Sequence, residues 1–304
     1  MASYNLLSYQ AKIGPRAGIA VGDTVYDAQE ATGEPAYASV MGILEDWERA
    51  GKKLRAAAGA PPKAGMALKD VQLLTPVIYP GAIYCAGANY KDHVEAMARR
   101  QNIAPEPDPH EVGLNPWHFQ KSPKSTAVGP GAHVARGGKN TDWEAELALV
   151  IGKTMRNVKL ADALTYVAAY TIGNDLSARD MTRRPHIADG SPFKYDWIGQ
   201  KNFDGACPLG PWLTPASDIG DPQNLTMKLW VNGALKQDSN TKNMIFSAAE
   251  QIFYLSSRIT LHPGDIVLTG TPSGTGAESG TFLNQGDTIK IAIEKIGELI
   301  THID

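Results

Sequence analysis

The sequence predicts a β-rich α+β fold in two units, and three observations carry that prediction. Glycine and proline, 30 and 20 of 304 residues, are about one residue in six, which calls for many turns between short strands. Strand-type runs dominate beyond residue 77, with only a few helical ones among them. A break, "GAPPKAG", closes the first amphipathic stretch and starts a linker, so a small N-terminal α+β unit over 1–77 is expected before a larger one over 78–304.

Residues 1–35 read as short strands and turns ("YNLLSYQ", "RAGIAVGD", "TVYDAQEATG"). "SVMGILEDWERAGKKLRAAAG" follows with apolar residues at helical spacing, at Val40, Ile43, Leu44, Trp47 and Leu54. In the larger unit "AIYCAG", "LALVIG", "AAYTIGND", "TMKLWVNG", "DIVLTG" and "DTIKIAIE" read as strands. "DHVEAMARR", "LADALTYVAAY" and "NMIFSAAEQIFYLSSR" read as helices. The stretch 101–118 has four prolines and no periodicity, a loop of the length that often carries function.

Composition excludes several classes. The chain is 43% hydrophobic and 20% charged with net charge −3, which argues against nucleic acid or an anionic membrane as the main partner. Cys85 and Cys207 make neither a disulfide framework nor a zinc pattern. No secretory signal opens the chain and no apolar run is long enough to span a bilayer, so a cytoplasmic protein is expected.

"DWEAELALVIG", residues 142–152, is a strand that carries two acids. Period two puts Glu144, Glu146, Ala148 and Val150 on one face, and Ala145, Leu147, Leu149 and Ile151 on a purely apolar one. Two carboxylates on a half-buried strand repel each other and lose hydration, so a shared proton, basic partners or a cation must compensate them. The alternative is an edge strand with both acids in water.

"YTIGNDLSARD" puts Asp175 and Arg179 where an apolar strand runs out into a polar turn. With Glu144 and Glu146 it offers three acids, a donor set suited to Mg²⁺ or Mn²⁺, with Ca²⁺ a third hard cation, rather than to zinc. Same-face strand residues have Cα atoms roughly 6.6 Å apart, a gap that glutamate side chains can close. His93 lies at a polar helix start in "GANYKDHVEAM". "GDIVLTGTPSGTG", 264–276, lacks the Lys of a P-loop, but its backbone N–H groups suit a small carboxylate. Lys121 and Lys201 are individually uninformative.

These fragments form one series. "GANY–DH", "FQK", "DWEAELALVIGK", "NDLSARD", "QKNFD–CPLGPW", "VNG" and "LHPGDIVLTGTPSGTG" stand in the order of the fumarylacetoacetate hydrolase family, which the chain resembles over 80–300. The N-terminal stretch is similar to the small domain of many bacterial members. The resemblance implies a mixed β-roll catalytic domain, a homodimer and a divalent metal held by Glu144, Glu146 and Asp175. It implies His93 as general base and Lys201 as the catalytic, substrate-binding lysine. Arg179, Thr271 and Lys121 would be further substrate contacts. Many members pair the histidine with a glutamate three residues on; here that position is Ala96, which leaves Glu95, or Glu106 or Glu111 of the loop, as candidates. The implied activity is hydrolysis of an acylpyruvate or 2,4-diketo acid to pyruvate and a carboxylic acid. Decarboxylation of an oxaloacetate-like acid, isomerisation or hydration is the alternative on the same site. Arg183 and Arg184, in "RRPHIADGSPFKYDW", are expected to select the acyl tail, with 94–118 as a lid.

Overall fold

The computed structural model describes residues 2–104 and 107–304. Strand Ala145–Ile151 is wholly buried, paired antiparallel to Val167–Asn174 on one side and to Ile266–Leu268 on the other. A central position excludes the edge-strand alternative, because no ladder face is left open to water. The period-two pattern then decides what each face meets. Leu147, Leu149 and Ile151 join the core formed with Leu229, Ile289 and Ile291 of a five-stranded sheet. Ala148 and Val150 face the other way, into a cluster with Ile43, Leu44 and Leu54 of the N-terminal helices.

The large mixed sheet has 11 strands among the described residues. Strand Ile83–Ala86 runs parallel to Ile266–Leu268, and His118–Lys121 closes that end antiparallel to Ile83–Ala86. At the other end, Asn5–Ala11, Gly14–Val21 and Thr24–Asp27 extend the sheet through Leu6 opposite Leu213. The N-terminal strands are therefore hydrogen-bonded into the same sheet as the site-bearing ones. The whole is a β-rich α+β fold.

Two helical expectations change in detail. The 40–59 stretch breaks at Asp46 into Val40–Glu45 and Trp47–Gly59. "LADALTYVAAY" is helical only over Leu160–Tyr166, as a 3₁₀ turn; from Val167 the chain is strand, because β-branched and small residues there join the central ladder. Ala248–Arg258 forms with a capping box, Ser247 and Glu250 each satisfying the other's backbone N–H. Among the described residues, no helix is long and apolar enough to cross a membrane.

Candidate active site

The end of the central strand pair builds the site. Ala145 stands opposite Asn174, so Glu144 and Asp175 flank the last rung, and Asp175 N donates to Glu144 O at 3.0 Å. Glu146, one pleat further on the Glu144 face, is fully buried. Ligand oxygens of Glu144, Glu146 and Asp175 all lie within 4.8 Å of one another.

Basic partners compensate two of the three acids. Lys201 Nζ donates to Asp175 Oδ2 at 2.6 Å, Ser177 Oγ at 2.7 Å and Glu144 Oε2 at 3.0 Å. Arg179 pairs with Glu144 through one arm and with Asp142 through Nε at 2.9 Å. Burial alone would raise the Glu144 carboxyl, but Lys201 and Arg179 outweigh it and hold it down at about 2. Burial likewise opposes the charge on Lys201, and Asp175 with Glu144 more than restores it.

Glu146 receives no such partner. Burial, then the charges of Asp175 and Glu144, push its carboxyl well above the usual range. Gly270 N donates to its Oε2 at 2.6 Å, but Oε1 is buried without a hydrogen bond. Asp175 Oδ1 is in the same condition, with the Lys121 ammonium 2.8 Å away but no hydrogen bond. The unpartnered Glu146 Oε1, within reach of oxygens of Glu144 and Asp175, is what a divalent cation with oxygen ligands would satisfy, so the residues fit one.

A cavity of about 640 Å³ opens over this cluster. Glu144, Arg179, Lys201, Thr271 and His93 line it, with an aromatic wall of Trp117, Phe119, Tyr195 and Trp197. Gly87 lets that wall form, because a Cβ there would sit 1.8 Å from the Trp117 ring. His93, Met97 and Arg100 reach the cavity from one face of helix Lys91–Gln101, at spacings of four and three.

Glu95 is corrected as the partner of His93. It sits on another face of that helix, 58% exposed and 3.6 Å from Arg99. Glu111 is exposed on the loop, and Glu106 lies outside the described residues. The glutamate that meets His93 is Glu278, 2.6 Å from Nδ1, on the one-turn helix Gly276–Ser279. A carboxylate only accepts, so Nδ1 carries the proton and Nε2 is free for the cavity.

Lys121 is corrected too. Its side chain is fully buried behind Asp175, giving its protons to the carbonyls of Leu176, Lys201 and Ala206 at 3.0, 2.6 and 2.9 Å. It therefore has no reach into the cavity and acts on Asp175 from the rear. Arg184 is turned away, with Nη1 on Phe193 O and Nη2 on Asp196. Arg183 does line the cavity, its guanidinium 5.5 Å over the Tyr195 ring. Thr271 Oγ1 donates to Ala145 O at 2.9 Å and accepts from Gln237 Nε2 at 2.9 Å.

The Gly-rich turn holds carboxylates, but they are the protein's own. Gly270 N binds Glu146, Gly274 N binds Glu278, and Gly276 N and Ala277 N bind Asp142. Glu278, Asp142 and Gln237 are absent from the sequence-based site. The available signal was an acid set within a glycine-rich turn, and an aspartate opening the very strand that carries the ligands.

Residues 82–304 match the family described as "Fumarylacetoacetate (FAA) hydrolase C-terminal". The chain belongs to this family. Its similarities span more than one activity. It is 39% identical over 238 residues to the mitochondrial oxaloacetate tautomerase Fahd2a of Rattus norvegicus, covering 77% of this chain and 70% of that one. A putative HpcE protein of Mycobacterium smegmatis superposes with TM-score 0.81 at 28% identity, over 98% of both chains. Maleylpyruvate hydrolase of Sphingobium sp. SYK-6, solved with manganese(II) and pyruvate, superposes with TM-score 0.75 at 30% identity, again over 98% of both. Members of this family are enzymes, and the acid triad of this chain could hold a divalent cation.

Proposed function

We propose that the protein cleaves the C3–C4 bond of an acylpyruvate or other 2,4-diketo acid, with Mg²⁺ or Mn²⁺, to give pyruvate and a carboxylic acid. The observation that carries this reading is the His93–Glu278 pair, with His93 on the wall of a cavity that Glu144 of the acid triad also lines. A cation held by Glu144, Glu146 and Asp175 would supply Lewis-acid stabilisation of negative charge on the 2-oxo oxygen.

His93 takes the proton of a water at Nε2 while Glu278 holds Nδ1, and the imidazolium that forms is stabilised by that carboxylate. Water oxygen adds to the 4-oxo carbon, the C3–C4 bond breaks, and its electron pair leaves with the pyruvate half as an enolate. The proton on His93 returns to C3 of that enolate. Lys201, at the cavity wall, adds fixed positive charge beside the developing anion, which helps the transition state more than the ground state. The aromatic wall and Arg183 are left for the acyl tail.

A second reading is tautomerisation of oxaloacetate, supported by the 39% identity to a protein named for it. His93 would then move a proton between C3 and the 2-oxo oxygen, with no water consumed. The cavity, about 640 Å³, has room for a tailed substrate, and its aromatic wall and Arg183 offer that tail contacts a four-carbon acid would not use. Purified protein with Mg²⁺ is to be tested on acylpyruvates of graded tail length and on oxaloacetate. Pyruvate release from the acylpyruvates supports the first reading; enol–keto exchange of oxaloacetate with no such release replaces it. His93→Ala should lower turnover roughly 10²–10⁴-fold with metal binding intact, and near wild-type turnover would remove His93 from the reaction.

A further inference from the structure

Asp142 is fully buried, does not line the cavity, and has a role that nothing so far assigns. Its carboxylate is saturated by four donors from three parts of the chain. Oδ1 accepts from Trp143 N at 2.9 Å and Gly276 N at 2.6 Å. Oδ2 accepts from Arg179 Nε at 2.9 Å and Ala277 N at 2.9 Å. A carboxylate has about four acceptor sites, so none is left for a ligand or substrate.

What those donors belong to sets the consequence. Gly276 and Ala277 open the turn that carries Glu278, and the turn is pressed onto Asp142. A Cβ on Gly276 would lie 2.7 Å from Asp142 Oδ1 and 2.1 Å from Thr281 O. Glu278 in turn spans His93 and its own turn: Oε1 meets His93 Nδ1 at 2.6 Å and accepts from Thr275 Oγ1 at 3.3 Å, and Oε2 accepts from Gly274 N at 2.7 Å. On the other side, Arg179 joins Asp142 to Glu144. Asp142, just ahead of strand Ala145–Ile151, thus ties the Gly276–Ser279 turn to Arg179 and, through it, to Glu144.

We propose that Asp142 is a positioning residue that fixes the Glu278 turn against the acid cluster and thereby sets the His93–Glu278 pair. This rests on the reading of His93 as the base. Asp142 takes no proton and touches no reacting atom; its effect passes through Glu278. Outer partners of this kind are worth about 10–100-fold in activity when lost.

The test uses Asp142→Asn, which keeps the size of the side chain but replaces one acceptor oxygen by a donor. Turnover is measured on whichever of acetylpyruvate or oxaloacetate the Mg²⁺-loaded protein processes, in Asp142→Asn, Glu278→Gln and the double variant. Each single change should lower kcat, and the double variant should be no slower than the slower single one. Losses that multiply would overturn the proposal, since Asp142 would then act by another route. A second readout does not depend on turnover. The Nδ1 proton of a histidine held this closely by a carboxylate resonates far downfield in proton NMR, and its loss in Glu278→Gln assigns it. Asp142→Asn should shift or remove that signal in the metal-free protein, and an unmoved signal would overturn the proposal. If Glu278→Gln leaves turnover intact, the assignment of the base fails, while the downfield signal still decides what Asp142 does. Gly276→Ala gives an independent variant should Asp142→Asn not fold. It displaces the turn and leaves the carboxylate in place, and it should move the same signal.

Discussion

Replacing Lys121 by Met separates a structural charge from a substrate contact. The ammonium is fully buried and serves three backbone carbonyls, at 2.6–3.0 Å, with Asp175 Oδ1 at 2.8 Å. Met keeps most of the stem volume but deletes every donor, leaving three carbonyls without their lysine donor and Asp175 without its rear cation. Removing one partner of a buried pair costs about 3–5 kcal/mol, out of a total stability of about 5–15 kcal/mol. At about 2 °C per kcal/mol for a chain of this size, the melting midpoint should fall by about 6–10 °C. The assay is a thermal melt in chelator, paired with KM and kcat on the substrate the protein turns over. A Lys121→Met protein that melts with the wild type and shows only a raised KM would refute this reasoning. Lys121 would then be reaching the substrate after all.

Further outcomes follow from the same geometry. Chelator should abolish turnover and Mg²⁺ or Mn²⁺ restore it; full turnover with no metal by elemental analysis would remove the cation from the reaction. Glu146→Gln should abolish turnover yet leave the chelator-treated protein at least as stable in urea, because Glu146 is the acid that burial and its neighbours force upward; a clear loss of stability would contradict the repulsion argument. Burial holds His118 down at about 4, outweighing the opposing effect of Gln251 and the Pro116 backbone. The unfolded chain, near 6.5, then binds more protons between those values. Stability is full above about pH 6.5 and falls by about 3 kcal/mol as pH drops to 4; urea midpoints should show this, and His118→Phe should flatten the window. Arg183→Ala should raise KM for a substrate with a charged tail and spare a short apolar one. Arg184→Ala should do neither, since its guanidinium is spent on Phe193 O and Asp196; equal effects of the two would place tail selection elsewhere.

How far the site could be read ahead depended on the range of the interaction that makes it. Glu144 and Glu146 were legible because period two is a local rule, and the apolar face of the same strand fixed its depth. Asp175 and Arg179 followed because an apolar strand visibly ends there. Lys121 was misread because nothing local distinguishes a lysine spent on buried carbonyls from one that faces a substrate; its partners lie 55–85 residues away in sequence. The partner of His93 was sought within one helical turn, or in the following loop, because those are the places a sequence can indicate. Glu278 lies 185 residues on and arrives only when the glycine-rich turn folds onto Asp142. The expectation that this turn holds a small carboxylate ligand is not met, since Gly270, Gly274, Gly276 and the following Ala277 give their N–H groups to the chain's own acids. Which carboxylates it binds is set by the register of the central strands. The turn's occupants, Glu146, Glu278 and Asp142, are an acid of the candidate cation cluster, the partner of His93 and the anion between them. Its backbone therefore couples the two halves of the site, and a change in the turn should disturb cation binding and proton transfer together.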